Sequence, residues 1–271
     1  MQFSVLMAVY QKDHAEHLES ALESIARQTL PADEVVLVED GPIGSDLRSV
    51  IDRYAEVLPL VTLALPENKG LGFALNAGLS RCTHAVVARM DADDICVPHR
   101  FETQIQFLAL HSGVAVLGSA IAEFVDESSK VQALRVLPSS GEELRSFANL
   151  RNPLNHMTVV FRKAAVQEVG GYQTAHGFED YHLWARVLVH GYQLHNLDQP
   201  LVLVRCGNGM QSRRGGLTYA MREAKFQFFL RKVGLISTSR LGCNLLMRTP
   251  MRIFPERVRA LLYQRLLRRP G

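Results

Sequence analysis

The stretch "VVARMDADDICVP", residues 86–98, passes from an apolar run directly into three carboxylates within four positions. Asp91, Asp93 and Asp94 would repel one another if they lay side by side in a folded chain, so they call for a positive partner. Two acids separated by one small residue on a turn suit a hard divalent cation, which Mg²⁺-type sites hold with one or two carboxylates. Asp is equally at home in turns and at helix starts, and a bare DxD says little. What decides the matter is the run before it. If residues 84–90 form a strand in a parallel sheet, the acids stand at its carboxyl end, where open α/β sheets bind ligands.

The preceding sequence supplies that sheet. "FSVLMAVY" (3–10) reads as a strand buried on both faces, followed by a helix over 14–28 with Leu18, Leu22 and Ile25 on one side. "EVVLVED" (34–40) and "LVTLAL" (60–65) read as further strands, with helices over 45–54 and 70–81 between and after them. After the acids, residues 98–111 carry a helical stripe of Phe101, Ile105 and Leu108. Strand–helix units of this length imply a Rossmann-type, mainly parallel sheet with right-handed crossovers. Asp40 then ends the second strand, and Asp13 follows the first within a few residues, so acids gather along one sheet edge.

Beyond residue 113 the pattern becomes mixed. Strands are expected over 114–125, 131–137, 157–162 and 200–205, with helices over 163–169 and from about Glu179 to Gly191. From Gly215 onward only helices are expected. The predicted organisation is a body over 1–205, split into halves 1–112 and 113–205, and a helical appendage over 206–271.

Composition narrows the class. With 47% hydrophobic and 21% charged residues in 271, the chain is globular, and no apolar run is long enough to span a membrane. The N-terminus shows no basic region before its apolar run and no small-residue cleavage site, so no secretory signal is read. Four scattered cysteines without a CxxC pair predict reduced, buried thiols in a cytosolic protein. The net charge of +3 conceals an asymmetry. From Arg213 onward there are 14 Lys and Arg against Glu223 and Glu256, whereas the first 212 residues hold 16 basic and 25 acidic residues. "FPERVRALLYQRLLRR" (254–269) places Phe254, Val258, Leu261, Leu262 and Leu266 on one helical face with arginines beside it, as in a helix lying on an anionic membrane. The same pattern also fits a helix docked on the domain. No aromatic platform or fold signature for nucleic acid is present.

Five blocks in order, "FSVLMAVYQKDH", "VVLVEDGP", "ENKGLGFALNAGL", "ARMDADD" and "GFEDYHLW", resemble those of family 2 glycosyltransferases with the GT-A fold, over residues 3 to about 205. The resemblance implies a nucleotide-sugar site. Ala8, Val9 and Tyr10 would meet the nucleotide base, and Asp40 would accept a hydrogen bond from a uracil ring. Glu39 beside it is the less secure match. Lys69 and Asn76 would line the diphosphate and sugar region, with Asn68 shaping the turn. Asp91 would hold the ribose or the metal's water shell, Asp93 would ligate Mn²⁺ or Mg²⁺, and Asp94 would support the turn. Asp180 would be the base for an inverting transfer, with Glu179 assisting at the acceptor. A carboxylate at the start of a helix also suits the helix dipole, so position alone does not assign that role.

The block "NPLNHMTVVFRKAAVQEVGGY" (152–172) resembles bacterial members that act in polysaccharide assembly and offers His156 and Arg162 as phosphate or acceptor contacts. In "RCGNGMQSRRGG" (205–216), Arg213 and Arg214 would either close over the diphosphate or begin the basic tail. The resemblance therefore implies a metal-dependent inverting hexosyltransferase using a nucleotide sugar, a UDP-sugar by the Asp40 match. Its acceptor would be a saccharide, lipid-linked at the inner face of the cell membrane. The alternatives are a nucleotidyltransferase, which also places acids after parallel strands but leaves the Glu179-Asp180 block without a task, and a non-catalytic protein of the same fold.

Overall fold

The computed structural model describes residues 1–125, 128, 130–175, 177–206 and 216–253, the last five by backbone only. Arg213, Arg214 and the amphipathic stretch 254–269 lie outside the described residues. The first half alternates as expected: β1 (Phe3–Val9), α1 (Ala15–Ala26), β2 (Glu34–Glu39), α2 (Ser45–Ala55), β3 (Leu60–Ala64), α3 (Leu71–Arg81) and β4 (Val86–Arg89). A two-residue strand β5 (Ile95–Cys96) and α4 (Arg100–Leu110) follow. The second half comprises β6 (Val114–Phe124), β7 (Ala133–Arg135), α5 (Gly141–Ala148), β8 (Val160–Arg162), α6 (Lys163–Glu168), α7 (Glu179–Val189) and β9 (Gln193–Arg205). α8 (Leu217–Lys232) and α9 (Thr238–Ile253) complete it.

The described strands form a nine-stranded sheet in the order β3-β2-β1-β4-β8-β6-β9-β5, with β7 on β6. From β3 to β4 every pairing is parallel, whereas β8 joins β4 and β6 antiparallel. The chain moves outward from β1 to β3 and then returns to place β4 on the other side of β1. That reversal opens a crevice beyond the carboxyl ends of β1 and β4, the position where such sheets bind ligands.

Alternation of side chains along β1 and β2 gives the sheet two buried faces. Phe3, Val5, Met7, Val35 and Leu37 pack under α1, α2 and α4, while Leu6, Val36 and Val38 pack under α3 and the α7 side. Gly78 lets α3 lie close to the sheet, since a Cβ there would come within 2.4 Å of Leu6 and 2.6 Å of Val38. Trp184 is fully buried in the second layer. Phe226 and Leu230 of α8, Leu235 and Ile236 after it, and Leu241 of α9 belong to the same apolar cluster as Trp184. Over its described residues the C-terminal helical part is therefore packed into the core of the body.

Three elements depart from the expectations. α5 falls in a segment with no predicted element, β5 is too short to leave a pattern, and β9 begins at Gln193 instead of residue 200. The polar first half of β9 is held as a strand by parallel pairing with β6, through register shifts around Ser119, Ala120 and Ile121 that accommodate Pro200. The cysteine expectation is corrected in part. Only Cys82 and Cys96 are buried; Cys206 is half-buried and Cys243 exposed. Cys243 stands on an outward face of α9 and Cys206 follows the end of β9, so burial did not follow from residue type alone.

Candidate active site

The acids follow β4 because the backbone of that strand is fixed on both sides. Arg89 N–H donates to Val159 O, and Met90 N–H donates to Leu6 O. Arg100, buried at the start of α4, donates to Arg89 O at 2.6 Å and holds the turn from behind. Asp91, Asp93 and Asp94 then bring one carboxylate oxygen each to within 4.8 Å of the others. They differ in setting. Asp91 is half-buried and pairs with Arg89, Asp93 is exposed, and Asp94 is buried and accepts the Arg205 backbone N–H at 3.0 Å. Loss of hydration, reinforced by the Asp91 and Asp93 charges, pushes the Asp94 carboxyl well up, so it is the least able of the three to stand as a free anion. Loss of hydration and then the Asp91 charge also raise Asp93. Asp13, on the β1 side, is within electrostatic reach of Asp91 and Asp93. Burial, then Asp93 and Asp91, push it up to about 6 although it accepts the Tyr10 N–H at 3.0 Å.

Arg89 is the residue that sequence reasoning passed over. Its side chain is buried behind the acids and pairs with Asp91, while its Nε and Nη1 have no hydrogen-bond partner among the described residues. A cation within an otherwise apolar strand, two residues before an acid, was the available signal. Its charge reaches Asp93, Asp94, Asp180, His156 and Tyr172 as well as Asp91. Tyr172 lies within electrostatic reach of Arg89, Asp180 and Asp91 at once.

Asp180 lies in the first turn of α7, half-buried. One carboxylate oxygen accepts the Tyr181 N–H at 2.7 Å and the other accepts the Asn152 side-chain amide. Burial raises its pKa against these hydrogen bonds and the Arg89 charge, with Glu179 adding to the rise. Glu179 itself turns back to accept the Gly177 N–H at 2.8 Å, a contact within its own helix start. Asn152 had no role in the sequence reading, because it lies 28 positions from the acid it holds. His156 stands nearby, 3.0 Å from the Tyr172 hydroxyl and edge-on to Trp184. Burial, then Arg89, keeps His156 well below its ordinary pKa, so it is neutral at pH 7. Arg162 is elsewhere: it donates to the carbonyls of Val114 and Leu108, tying α4 to β6, which corrects its expectation as a site contact.

At the ends of β1 and β2, Tyr10, Gln11, Lys12, Asp40, Gly41, Pro42 and Asn68 line a cavity of about 300 Å³. Ala8 and Val9 are the last residues of β1, and the Val9 carbonyl accepts the Asp40 N–H. Asp40 is buried and accepts the backbone N–H groups of Lys69 at 2.8 Å and Gly70 at 3.0 Å, which fixes the loop that opens α3. Gly41, at φ +86°, leaves room for this loop, since a Cβ would meet the Asn68 nitrogen at 2.6 Å. Glu39 is used structurally, forked with Arg48. Lys69 is exposed beside Glu67 and over the Phe73 ring. Asn76 spends both ends of its amide on the Tyr172 backbone, and so orients Tyr172 from α3 instead of facing the cavity.

The donor set at the sheet edge is all carboxylate oxygen, with one exposed acid among two anchored ones. That fits a hard divalent cation with open positions for substrate oxygens.

Fold and sheet-edge acids define a GT-A-like α/β protein, and the glycosyl transferase family 2 model matches residues 4–169. The chain belongs to that family. It is 46% identical to the amylovoran biosynthesis glycosyltransferase AmsE of Erwinia amylovora, over 97% of this chain and 98% of the relative. It is 37% identical to the Escherichia coli UDP-Gal:alpha-D-GlcNAc-diphosphoundecaprenol beta-1,3-galactosyltransferase, over 99% and 97% of the two chains. The fold is similar to that of Staphylococcus aureus TarS 1–349 in complex with UDP-GlcNAc, with a TM-score of 0.70 at 16% identity, covering 99% of this chain and 76% of that one. The mannosyltransferase PcManGT from Pyrobaculum calidifontis, in complex with GDP-Man and Mn²⁺, aligns at a TM-score of 0.64 and 20% identity, covering 99% and 76%. Family membership sets the nucleotidyltransferase alternative aside. No helix of the described residues is long and apolar enough to cross a membrane.

Proposed function

We propose that this glycosyltransferase moves a hexose from a UDP-sugar to a hydroxyl of a lipid-linked saccharide, with inversion, during bacterial surface polysaccharide synthesis. The observation that carries this reading is the cluster of Asp91, Asp93 and Asp94 after β4, with Asp180 within electrostatic reach of the Arg89 that holds Asp91. The base-sized cavity at the ends of β1 and β2 supports it. So do the named activities of the two bacterial relatives and the UDP-GlcNAc in the TarS complex. The chain would work at the inner face of the cell membrane, with residues 1–112 serving the donor and 113–205 the acceptor.

The cavity takes the uracil, with the backbone of Ala8, Val9 and Tyr10 on one side and the Asp40-fixed loop on the other. Asp91, held by Arg89, meets the ribose, and Lys69 reaches the diphosphate side. Asp93, with Asp91, would hold Mn²⁺ or Mg²⁺, which when bound neutralises charge on a departing diphosphate. Asp180 accepts the proton of the acceptor hydroxyl as that oxygen bonds to the anomeric carbon. The bond from the anomeric carbon to the diphosphate breaks, and its electron pair leaves with the diphosphate. The amide of Asn152 and the N–H of Tyr181 hold the Asp180 carboxylate in one orientation, and its raised pKa makes it a stronger base than a solvated Asp. Glu179, whose carboxylate is already satisfied by the Gly177 N–H, acts by shaping the helix start.

The test is a panel of nucleotide sugars with Mn²⁺, each offered with and without a lipid-diphosphate-linked N-acetylhexosamine. One UDP-hexose should be consumed, slowly alone and faster with the acceptor. Consumption of none of them would overturn the reading.

A further inference from the structure

We propose that α8 carries the surface by which this chain lies on an anionic lipid bilayer, deepening the lipid-linked acceptor reading on which it rests. The inward face of α8 is Ala220, Glu223, Phe226, Gln227 and Leu230, all buried. On the opposite side, at helical spacing, stand Leu217 (67% exposed), Met221 (59%) and Phe228 (57%). A helix that is apolar on both sides is using both. Lys225 and Lys232 are exposed along one edge of this outer stripe. α9 also exposes Leu246 (79%) and Met247 (55%), and it is locked to α8 by Asn244 on Gln227 at 2.8 Å and Arg248 on Glu223 at 2.6 Å.

Charge selects the occupant. Between residues 216 and 253 there are seven Lys and Arg and one acid, Glu223, which is buried against Arg248. A second copy of the same face would bring cations against cations, and a two-fold contact would repeat the clash. An anionic lipid surface receives both the apolar stripe and the cations along its edge. Position agrees with the substrate. Phe226 stacks on Phe178 with ring centroids 4.7 Å apart, and Phe178 precedes Asp180 by two residues. The stripe is thus about one helix diameter, roughly 10–12 Å, from the wall of the site. A saccharide on a lipid held in that surface is presented to Asp180 without leaving the membrane.

The test is sedimentation of the full chain with phosphatidylglycerol-containing vesicles and with phosphatidylcholine vesicles. Wild type should partition onto the anionic vesicles and be released by salt. Met221→Glu/Phe228→Glu should partition at least about tenfold less, because anions replace the apolar contacts at an anionic surface. Lys225→Glu/Lys232→Glu should lose the anionic preference. Hydrolysis of the nucleotide sugar without vesicles should be unchanged in both variants. Equal partitioning of the first variant and wild type, or a dimer that the first variant dissociates while vesicle binding persists, would overturn the assignment. If neither protein consumes any nucleotide sugar but their partitioning differs, the catalytic reading fails and the surface stands.

Discussion

Asp180→Asn should retain nucleotide-sugar binding and lose turnover, with kcat falling by about 10²–10⁴, the range attached to a positioned general base. The substitution keeps the shape of the side chain. Asn can still accept one of the two hydrogen bonds that Tyr181 N–H and the Asn152 amide give to the carboxylate, so α7 keeps its start. What it cannot do is take a proton. The pH profile separates this role from a structural one. Burial raises the Asp180 pKa from its ordinary value. In wild type, kcat should therefore rise with pH through that raised pKa and fall below it, where protonated Asp180 has no room for the acceptor's proton. The variant should lack this limb. Near-normal turnover in Asp180→Asn would remove the residue as base.

Asp93→Ala should abolish stimulation by Mn²⁺ or Mg²⁺ and leave the fold intact. Asp93 is the exposed member of the trio, and its loss relieves repulsion with Asp91, so the protein without metal should melt no lower than wild type. Activity should drop by at least about 10³, since charge stabilisation at the leaving group supplies several kcal/mol in such reactions. Undiminished activity of wild type in the presence of chelator would contradict the metal assignment at once. Asp91→Ala is a poorer test, because it also strands the buried Arg89 guanidinium, whose Nη2 donates to that carboxylate.

The order of strands and helices through residue 111 was legible because buried strands are short apolar runs and their helices carry a stripe. The sheet edge follows from the same reading, with Asp40 ending β2 and Asp91 and Asp93 following β4. The second half was less legible for physical reasons. Residues 193–199 form a strand through pairing with β6, not through apolar content. Contacts that define the site span long separations. Asn152 meets Asp180 across 28 residues, and Asn76 holds Tyr172 across 96. Nothing local distinguishes an Asn that touches substrate from one that fixes a backbone. Arg89 was visible as an oddity in β4, but its burial behind the acids exists only once β8 and the His156 turn close over it. The basic C-terminal part was legible as charge, whereas its packing into the core through Phe226 and Leu230 was not.

The stereochemistry of the product tests the whole arrangement most directly. One UDP-hexose with an α-linked anomeric carbon, chosen from the donors the protein consumes, is incubated with a lipid-linked saccharide, and the new linkage is read by the anomeric coupling constant in NMR. A single displacement with Asp180 as base gives a β-linkage. An α-linked product would contradict it.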